Sequence, residues 1–244
     1  MNFKNKHAVI TGGANGIGRC IADNFLSEGA VVTIIDIDKS AGEPMENVNF
    51  YYGDISEKSV LVDFISTLKQ PVNCLINNAC IGKKGLLSNC GYEDFEYVQR
   101  VGVTAPYYLT SLLLKNNLLA ENASIVNIAS TRAFQSQPDT ESYSAAKGGI
   151  ITLTHAMAVS LAGRARVNTI SPGWIDTTNS EFSQSDKSQH PVGRVGIPQD
   201  IAEIVLFLCS EKAGFITGEN ITVDGGMSKL MIYHDDCGWS YNGE

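Results

Sequence analysis

The segment that most restricts the fold of this chain lies near its start. His7-Ala8-Val9-Ile10-Thr11 is apolar enough for a buried strand. Gly12-Gly13-Ala14-Asn15-Gly16-Ile17-Gly18 follows at once and leads into a helix with Ile17, Ile21 and Phe25 on one face. Strand, glycine turn and helix in that order make an anion-binding unit. Glycines permit the tight turn, let the backbone approach a pyrophosphate and allow the helix to pack closely on the strand. The amides of the first helical turn then point at the anion.

The rest of the chain keeps the same rhythm. Val31 to Ile35, Val48 to Tyr52, Val72 to Ile76, Ser124 to Ile128, Ala165 to Ile170 and Ile221 to Val223 read as strands, with helical segments between them. Near-continuous apolar strands alternating with helices predict an α/β fold: a doubly wound, mostly parallel sheet with helices on both faces and right-handed crossovers. A length of 244 residues suits one domain spanning 1–244. Asp176 to Pro191, rich in Ser, Thr, Gln, Asp and Asn, breaks the alternation and is expected to be a substrate lid. The tail, about 227–244, carries Met231, Ile232, Tyr233, Trp239 and Tyr241 and is expected to dock, on its own subunit or across to a neighbour.

Composition removes several function classes. A formal net charge of −8 leaves no basic stripe for nucleic acid. No run of apolar residues is long enough to span a membrane, so a cytoplasmic location is expected. The six cysteines lack Cys-x-x-Cys or zinc spacing, and the four histidines do not cluster. Free thiols and no metal are the expectation.

Candidate chemistry sits in the second half. Tyr143 and Lys147 are four residues apart on an expected helix, and Ser130 stands just past the apolar run Ile125 to Ile128. A free tyrosine has a pKa of about 10 and is a poor base at neutral pH. An ammonium at ~4 Å, in an effective dielectric near ~20, favours phenolate by about 4 kcal/mol, an upper-range guide. By itself the Tyr-x-x-x-Lys pattern usually marks a solvated helix face, and the glycine turn is what raises its weight.

Together, Thr11 to Gly18, Asn77-Asn78-Ala79, Ser130, Tyr143-x-x-x-Lys147 and Ser171-Pro172-Gly173 resemble the short-chain dehydrogenase/reductase family in its smaller single-domain form, from about His7 to Gly226. The resemblance implies a catalytic trio of Ser130, Tyr143 and Lys147. It also implies dinucleotide contacts from Gly12, Asn15, Gly16, Ile17, Gly18, Asp36, Asp54, Ile55, Asn78, Tyr143, Lys147, Pro172, Gly173, Ile175 and Thr177. Among these, Asp54 is expected at the adenine, Asn78 at the adenosine ribose, and Pro172 to Thr177 along the nicotinamide.

Asp36, at the end of the second strand, favours NAD: its carboxylate can accept both ribose hydroxyls and would repel a 2'-phosphate. Ala14, Asn15, Ile37 and Asp38 supply no basic counterweight, and Arg19 is the one dissenting residue.

The expected activity is interconversion of a secondary alcohol and a ketone with NAD(H), Tyr143 being the general acid/base. The alternatives are an NADP-dependent carbonyl or oxoacyl reductase and a catalytically weakened dinucleotide-binding sensor. The partners expected are a small alcohol or ketone and a second copy of the chain, as homodimer or homotetramer.

Two positions qualify the resemblance. Gly102 stands where many members carry an asparagine that holds a water in the proton relay, so the relay is expected to use backbone and water or to be weaker, and either close packing or an altered pocket would explain the glycine. Arg132, with Phe134, Gln135, Glu141 and Phe182 to His190, is a candidate for the substrate pocket. Its guanidinium is expected to pair with Glu141 in preference to a substrate carboxylate.

Overall fold

A computed structural model describes residues 1–39 and 47–238. Seven strands form one sheet in the order β3-β2-β1-β4-β5-β6-β7: β1 (His7–Thr11), β2 (Val31–Asp36), β3 (Val48–Tyr52), β4 (Val72–Asn77), β5 (Leu119–Ile128), β6 (Ala165–Pro172) and β7 (Asn220–Val223). Every neighbouring pair is parallel. The strand order turns back between β1 and β4, so a crevice opens at the carboxyl ends of those two strands.

Alternation along β1 explains the double winding. Ala8 and Ile10 join a core with α1 (Gly16–Ser27) and α7 (Pro198–Cys209) on one face. Val9 points into the other core, with α2 (Lys58–Thr67), α4 (Ala105–Lys115) and α5 (Glu141–Ser160). Ile21 and Phe25 of α1 are fully buried, as the spacing predicts, and Ile17 packs at the edge of the same core. The remaining helices are α3 (Tyr92–Gln99) and the short α6 (Gln184–Ser188).

β3 keeps the bounds read from the sequence but lies at an edge, and β5 differs in extent. β3 pairs only with β2, and as an edge strand it leaves Phe50 and Tyr52 about half exposed. β5 begins at Leu119 rather than Ser124. The polar Glu121-Asn122 pair hides its first half from an apolar-run reading, and the register with β4 shifts between Val72 and Cys74.

The Asp176 to Pro191 segment is ordered by its own side chains. Asp176 accepts from the amides of Thr178 and Ser180, and a Ser183/Asp186 capping box starts α6. Phe182 packs edge-on against Trp174. Of the tail, Met231 and Tyr233 remain 74% and 65% exposed, so as far as Gly238 these side chains do not bury themselves on their own subunit. Trp239 and Tyr241 lie outside the described residues.

His7 is a core residue, its Nε2 2.9 Å from Thr33 Oγ1. Burial pushes its pKa below the ordinary 6.5, against the pull of the Gln70 and Pro71 backbone. A histidine with a depressed folded pKa contributes stability above the unfolded value and loses it as pH falls. The urea midpoint is therefore expected to drop between about pH 7.5 and pH 5.5. The drop should be smaller in His7→Gln; an equal drop in both proteins would contradict this.

Candidate active site

The carboxyl ends of β1, β2, β3 and β4 border a cleft of about 280 Å³, lined by Gly12, Asn15, Asp36, Asp54, Ile55, Asn78, Ala79, Cys80, Ile81 and Tyr97 among others. Register explains the convergence. Thr11 pairs with Ile35 on one side and Asn77 on the other, so the residues just beyond each strand emerge at one level.

The glycine turn is built for close approach. Gly12 and Gly16 have φ of +65° and +53°, and a Cβ on Gly18 would lie 2.0 Å from the Gly12 carbonyl oxygen. Only a residue without a side chain fits at Gly18, and helix α1 starts against the strand end as a result.

Asn78 carries more than a lining role. Its Nδ2 donates to the Gly12 carbonyl at 2.7 Å and the Thr11 carbonyl at 3.2 Å, and Thr11 Oγ1 accepts from the amides of Asn78 and Ala79. It thus ties the end of β4 to the glycine turn. Asp36 accepts from the amides of Ala14 and Asp38, each at 3.0 Å, which fixes its carboxylate at the cleft. Arg19 is bonded to Asp23 one helical turn on, as a helix-surface pair.

Sequence reasoning missed Tyr97. Its hydroxyl donates to Asp54 Oδ2 at 3.0 Å while the Ser56 amide holds Oδ1 at 2.8 Å. Burial, followed by the bond to Asp54, raises the Tyr97 pKa above its ordinary 10.0. The partners are far apart in sequence, Tyr97 on α3 and Asp54 just past β3, and only the folded chain brings them together.

From the cleft, the segment Ala79 to Gly82 leads to Tyr143, one of the candidate trio with Ser130 and Lys147. A Cβ on Gly82 would sit 3.6 Å from Tyr143 Cδ2. Lys147 is 4% exposed, and its Nζ donates to the Ile128 carbonyl at 2.6 Å and lies 5.5 Å from the centroid of the Tyr143 ring. That bond uses one of the ammonium's three donors.

Ser130 is buried, two residues past the same carbonyl, and its Oγ accepts from the Arg132 amide at 3.2 Å. With the lone pair engaged, the hydroxyl hydrogen is available to donate. Ser130 caps the turn Thr131–Ala133, and that turn packs on α5, the helix that carries Tyr143 and Lys147.

Beneath the trio lies a buried polar chain. Asn77 Nδ2 donates to Asn127 Oδ1 at 2.7 Å, and Asn127 Nδ2 donates to Thr154 Oγ1 at 2.8 Å.

The Pro172 to Thr177 group stands at the end of β6, beside this cleft rather than in its lining. Thr177 approaches Gly16, whose Cβ would be 3.2 Å from its methyl, and Ile175 bridges to Gly196. Asp224 serves as a strand-ending turn, accepting from the amides of Gly226 and Ser228 at 2.9 and 2.8 Å. Cys80 lines the cleft with its thiol directed to the Ile81 carbonyl. Among the described residues there is no cluster of His, Cys, Asp or Glu that would hold a metal ion.

The expected Arg132–Glu141 pair does not form. Glu141 accepts from the Leu86 amide at 3.2 Å, and the Arg132 guanidinium donates to Gln137. The turn after Ser130 turns the arginine toward Gln137 and across the Tyr143 ring, its Cζ 5.8 Å from the centroid.

The profile of the family described as enoyl-(acyl carrier protein) reductase matches residues 12–228. The chain belongs to the short-chain dehydrogenase/reductase family. Within that family it is 41% identical to an uncharacterized oxidoreductase of Thermotoga maritima, over 96% of this chain and 100% of the relative. It is 31% identical to the 3-oxoacyl-acyl-carrier-protein reductase FabG of the same organism, over 93% of this chain and 99% of the relative. An apo SCOR enzyme from Clostridium thermocellum superposes with a TM-score of 0.89 at 46% identity, covering 98% of this chain and 100% of that one. The chain is thus an oxidoreductase of a family that uses nicotinamide dinucleotides and acts on small molecules. Among the described residues no helix is long and apolar enough to cross a membrane.

Gly102 gains a physical reason. It lies in a π-helical turn, Arg100–Thr104, and a Cβ there would meet the Ala146 Cβ at 2.9 Å. Ala146 is the residue before Lys147, so the glycine lets α5 press against the π turn. Gly102→Ala is expected to cost about 1–3 kcal/mol through overpacking. Thermal unfolding should show a lowered Tm, and an unchanged Tm would mean that the two elements are not pressed together.

Proposed function

We propose that the protein interconverts a secondary alcohol and a ketone with NAD(H), using Tyr143 as general acid/base. The observation that carries this reading is the buried Lys147 ammonium, tied to the Ile128 carbonyl and 5.5 Å from the Tyr143 ring centroid, with Ser130 on the turn that follows Ile128. The residues fit a dinucleotide. The cradle at Gly18 excludes a side chain, the cleft carries Asp36 and Asp54 at its adenosine end, and Lys147 retains donors for ribose hydroxyls. When bound, the nicotinamide exchanges a hydride with the carbinol carbon.

The protein's own residues handle the proton. In oxidation, Tyr143 Oη takes the hydroxyl proton, Ser130 Oγ–H donates to the substrate oxygen as negative charge develops there, and the Lys147 charge supports the ionised phenol. Reduction runs these steps backwards. Gly12, Asn15, Gly16, Ile17, Gly18, Asp36, Asp54, Ile55 and Asn78 hold the adenosine and pyrophosphate, while Pro172, Gly173, Ile175 and Thr177 flank the nicotinamide. Asp176 to Pro191 borders the substrate, and the whole chain, 1–244, acts as one domain.

The preference for NAD rests on charge. Asp36, Asp38 and Asp54 surround the adenosine end, Arg19 is held by Asp23, and Lys39 lies 4.0 Å over the Tyr52 ring at the sheet edge. A 2'-phosphate would face carboxylates there. A second reading, reduction of an oxoacyl thioester, draws on the likeness to the Thermotoga reductase and shares the same trio. Exposed Tyr107 on α4 and Val159 on α5 support assembly as a homodimer or homotetramer. The free thiols of Cys20, Cys74, Cys80, Cys90 and Cys209 accord with a reducing cytoplasm.

Tyr143→Phe tests the proton assignment. Turnover across a panel of secondary alcohols should fall by at least about 100-fold, while titration still shows tighter binding of NAD than of NADP. Undiminished turnover would remove Tyr143 from its role, and tighter NADP binding would reverse the cofactor preference.

A further inference from the structure

We infer that Arg132 anchors an anionic group of the substrate, so that the alcohol or ketone handled here is a hydroxy or keto acid with its carboxylate a short carbon chain from the reacting carbon. The inference rests on the dehydrogenase reading above and narrows its substrate class.

Three observations carry it. Arg132 lies in the turn right after Ser130, and its Cζ stands 5.8 Å from the centroid of the Tyr143 ring, so its guanidinium borders the space a substrate oxygen must occupy. Its side-chain partner is neutral: the guanidinium donates to Gln137 Oε1.

The acidic groups near the mouth are also engaged elsewhere. Glu141 takes the Leu86 amide at 3.2 Å. Asp139 takes the amides of Gly85 and Leu87, each at 2.9 Å, together with the Ser88 hydroxyl. Asp94 is paired with Lys83 at 3.2 Å. The Ser88 bond first, and the loop amides after it, hold the Asp139 carboxyl below its ordinary range, so that group stays committed to the loop.

A planar guanidinium beside the reacting phenol, without a carboxylate partner of its own, matches the two oxygens of a carboxylate in fork geometry. Gln137 occupies only part of its donor set. The sequence argument favoured Glu141 as the counter-charge; with that pairing absent, the remaining complement is on the substrate.

The test uses the full chain with NAD and two alcohols of the same carbon skeleton, 3-hydroxybutyrate and 2-butanol. In the wild type kcat/KM should favour the hydroxy acid by about tenfold or more. Arg132→Gln should lose about 10- to 100-fold on the acid, mostly in KM, with little change on the neutral alcohol. Arg132→Lys should recover part of the loss. Equal activity on both alcohols, or an equal loss on both in the variant, would overturn the inference while leaving the dehydrogenase reading intact.

If neither alcohol turns over, the dehydrogenase reading fails on that pair, and calorimetry of the NAD complex with butyrate and butyramide decides for Arg132. Butyrate binding that is lost in Arg132→Gln supports the anchor. No preference for butyrate over butyramide in the wild type overturns it.

Discussion

One hydrogen bond organises the reactive end of this molecule: the buried Lys147 ammonium donates to the carbonyl of Ile128, the last residue of β5. Taking an ammonium out of water is costly, and one neutral carbonyl offsets only part of that cost. What is gained is position. The bond fastens α5, with its phenol and ammonium, to the strand end, and Ser130 follows two residues after Ile128 on a turn that packs on the same helix. The π turn at Gly102, pressed on Ala146, and the Asn77–Asn127–Thr154 chain below support that attachment from two sides.

The cofactor end obeys a different constraint. Parallel strands in register bring their carboxyl ends to one level, and the turn in strand order between β1 and β4 leaves a crevice there. Helix α1 starts at that level because Gly18 permits contact with the Gly12 carbonyl, and Asn78 locks the turn from β4. On the proposed reading, backbone amides of the glycine turn attract the phosphates, so a chain of net charge −8 needs no basic patch for a polyanion. On the same proposed reading, the carboxylates of Asp36 and Asp54 beside this crevice set the preference for NAD.

Features set by local spacing were legible in the sequence. The glycine turn and Asp36 at the end of β2 follow from strand periodicity and motif order, Asp54 past β3 and Asn78 past β4 from the family resemblance, and all border the cleft. Features set by how elements pack were not. Tyr97 on α3 meets Asp54 past the end of β3 across 43 residues of sequence, a contact that no local spacing encodes. For Gly102 the sequence offered close packing without naming a partner, and the structure supplies Ala146. Arg132 and Glu141 looked like a pair, yet the loop amides of residues 85–87 claim the acidic groups first. The early start of β5 was hidden because the polar, exposed Glu121 and Asn122 fall at the register shift between Leu119 and Ser124, where no apolar pattern runs.

A crystal structure of the protein with NAD bound tests the central claim most directly. The account predicts the nicotinamide with its C4 edge toward Tyr143 Oη, room for an alcohol between them, Lys147 on the ribose hydroxyls, and the bond from Lys147 to Ile128 intact. A nicotinamide turned away from Tyr143, or a dinucleotide seated away from the ends of β1, β2 and β4, would contradict it.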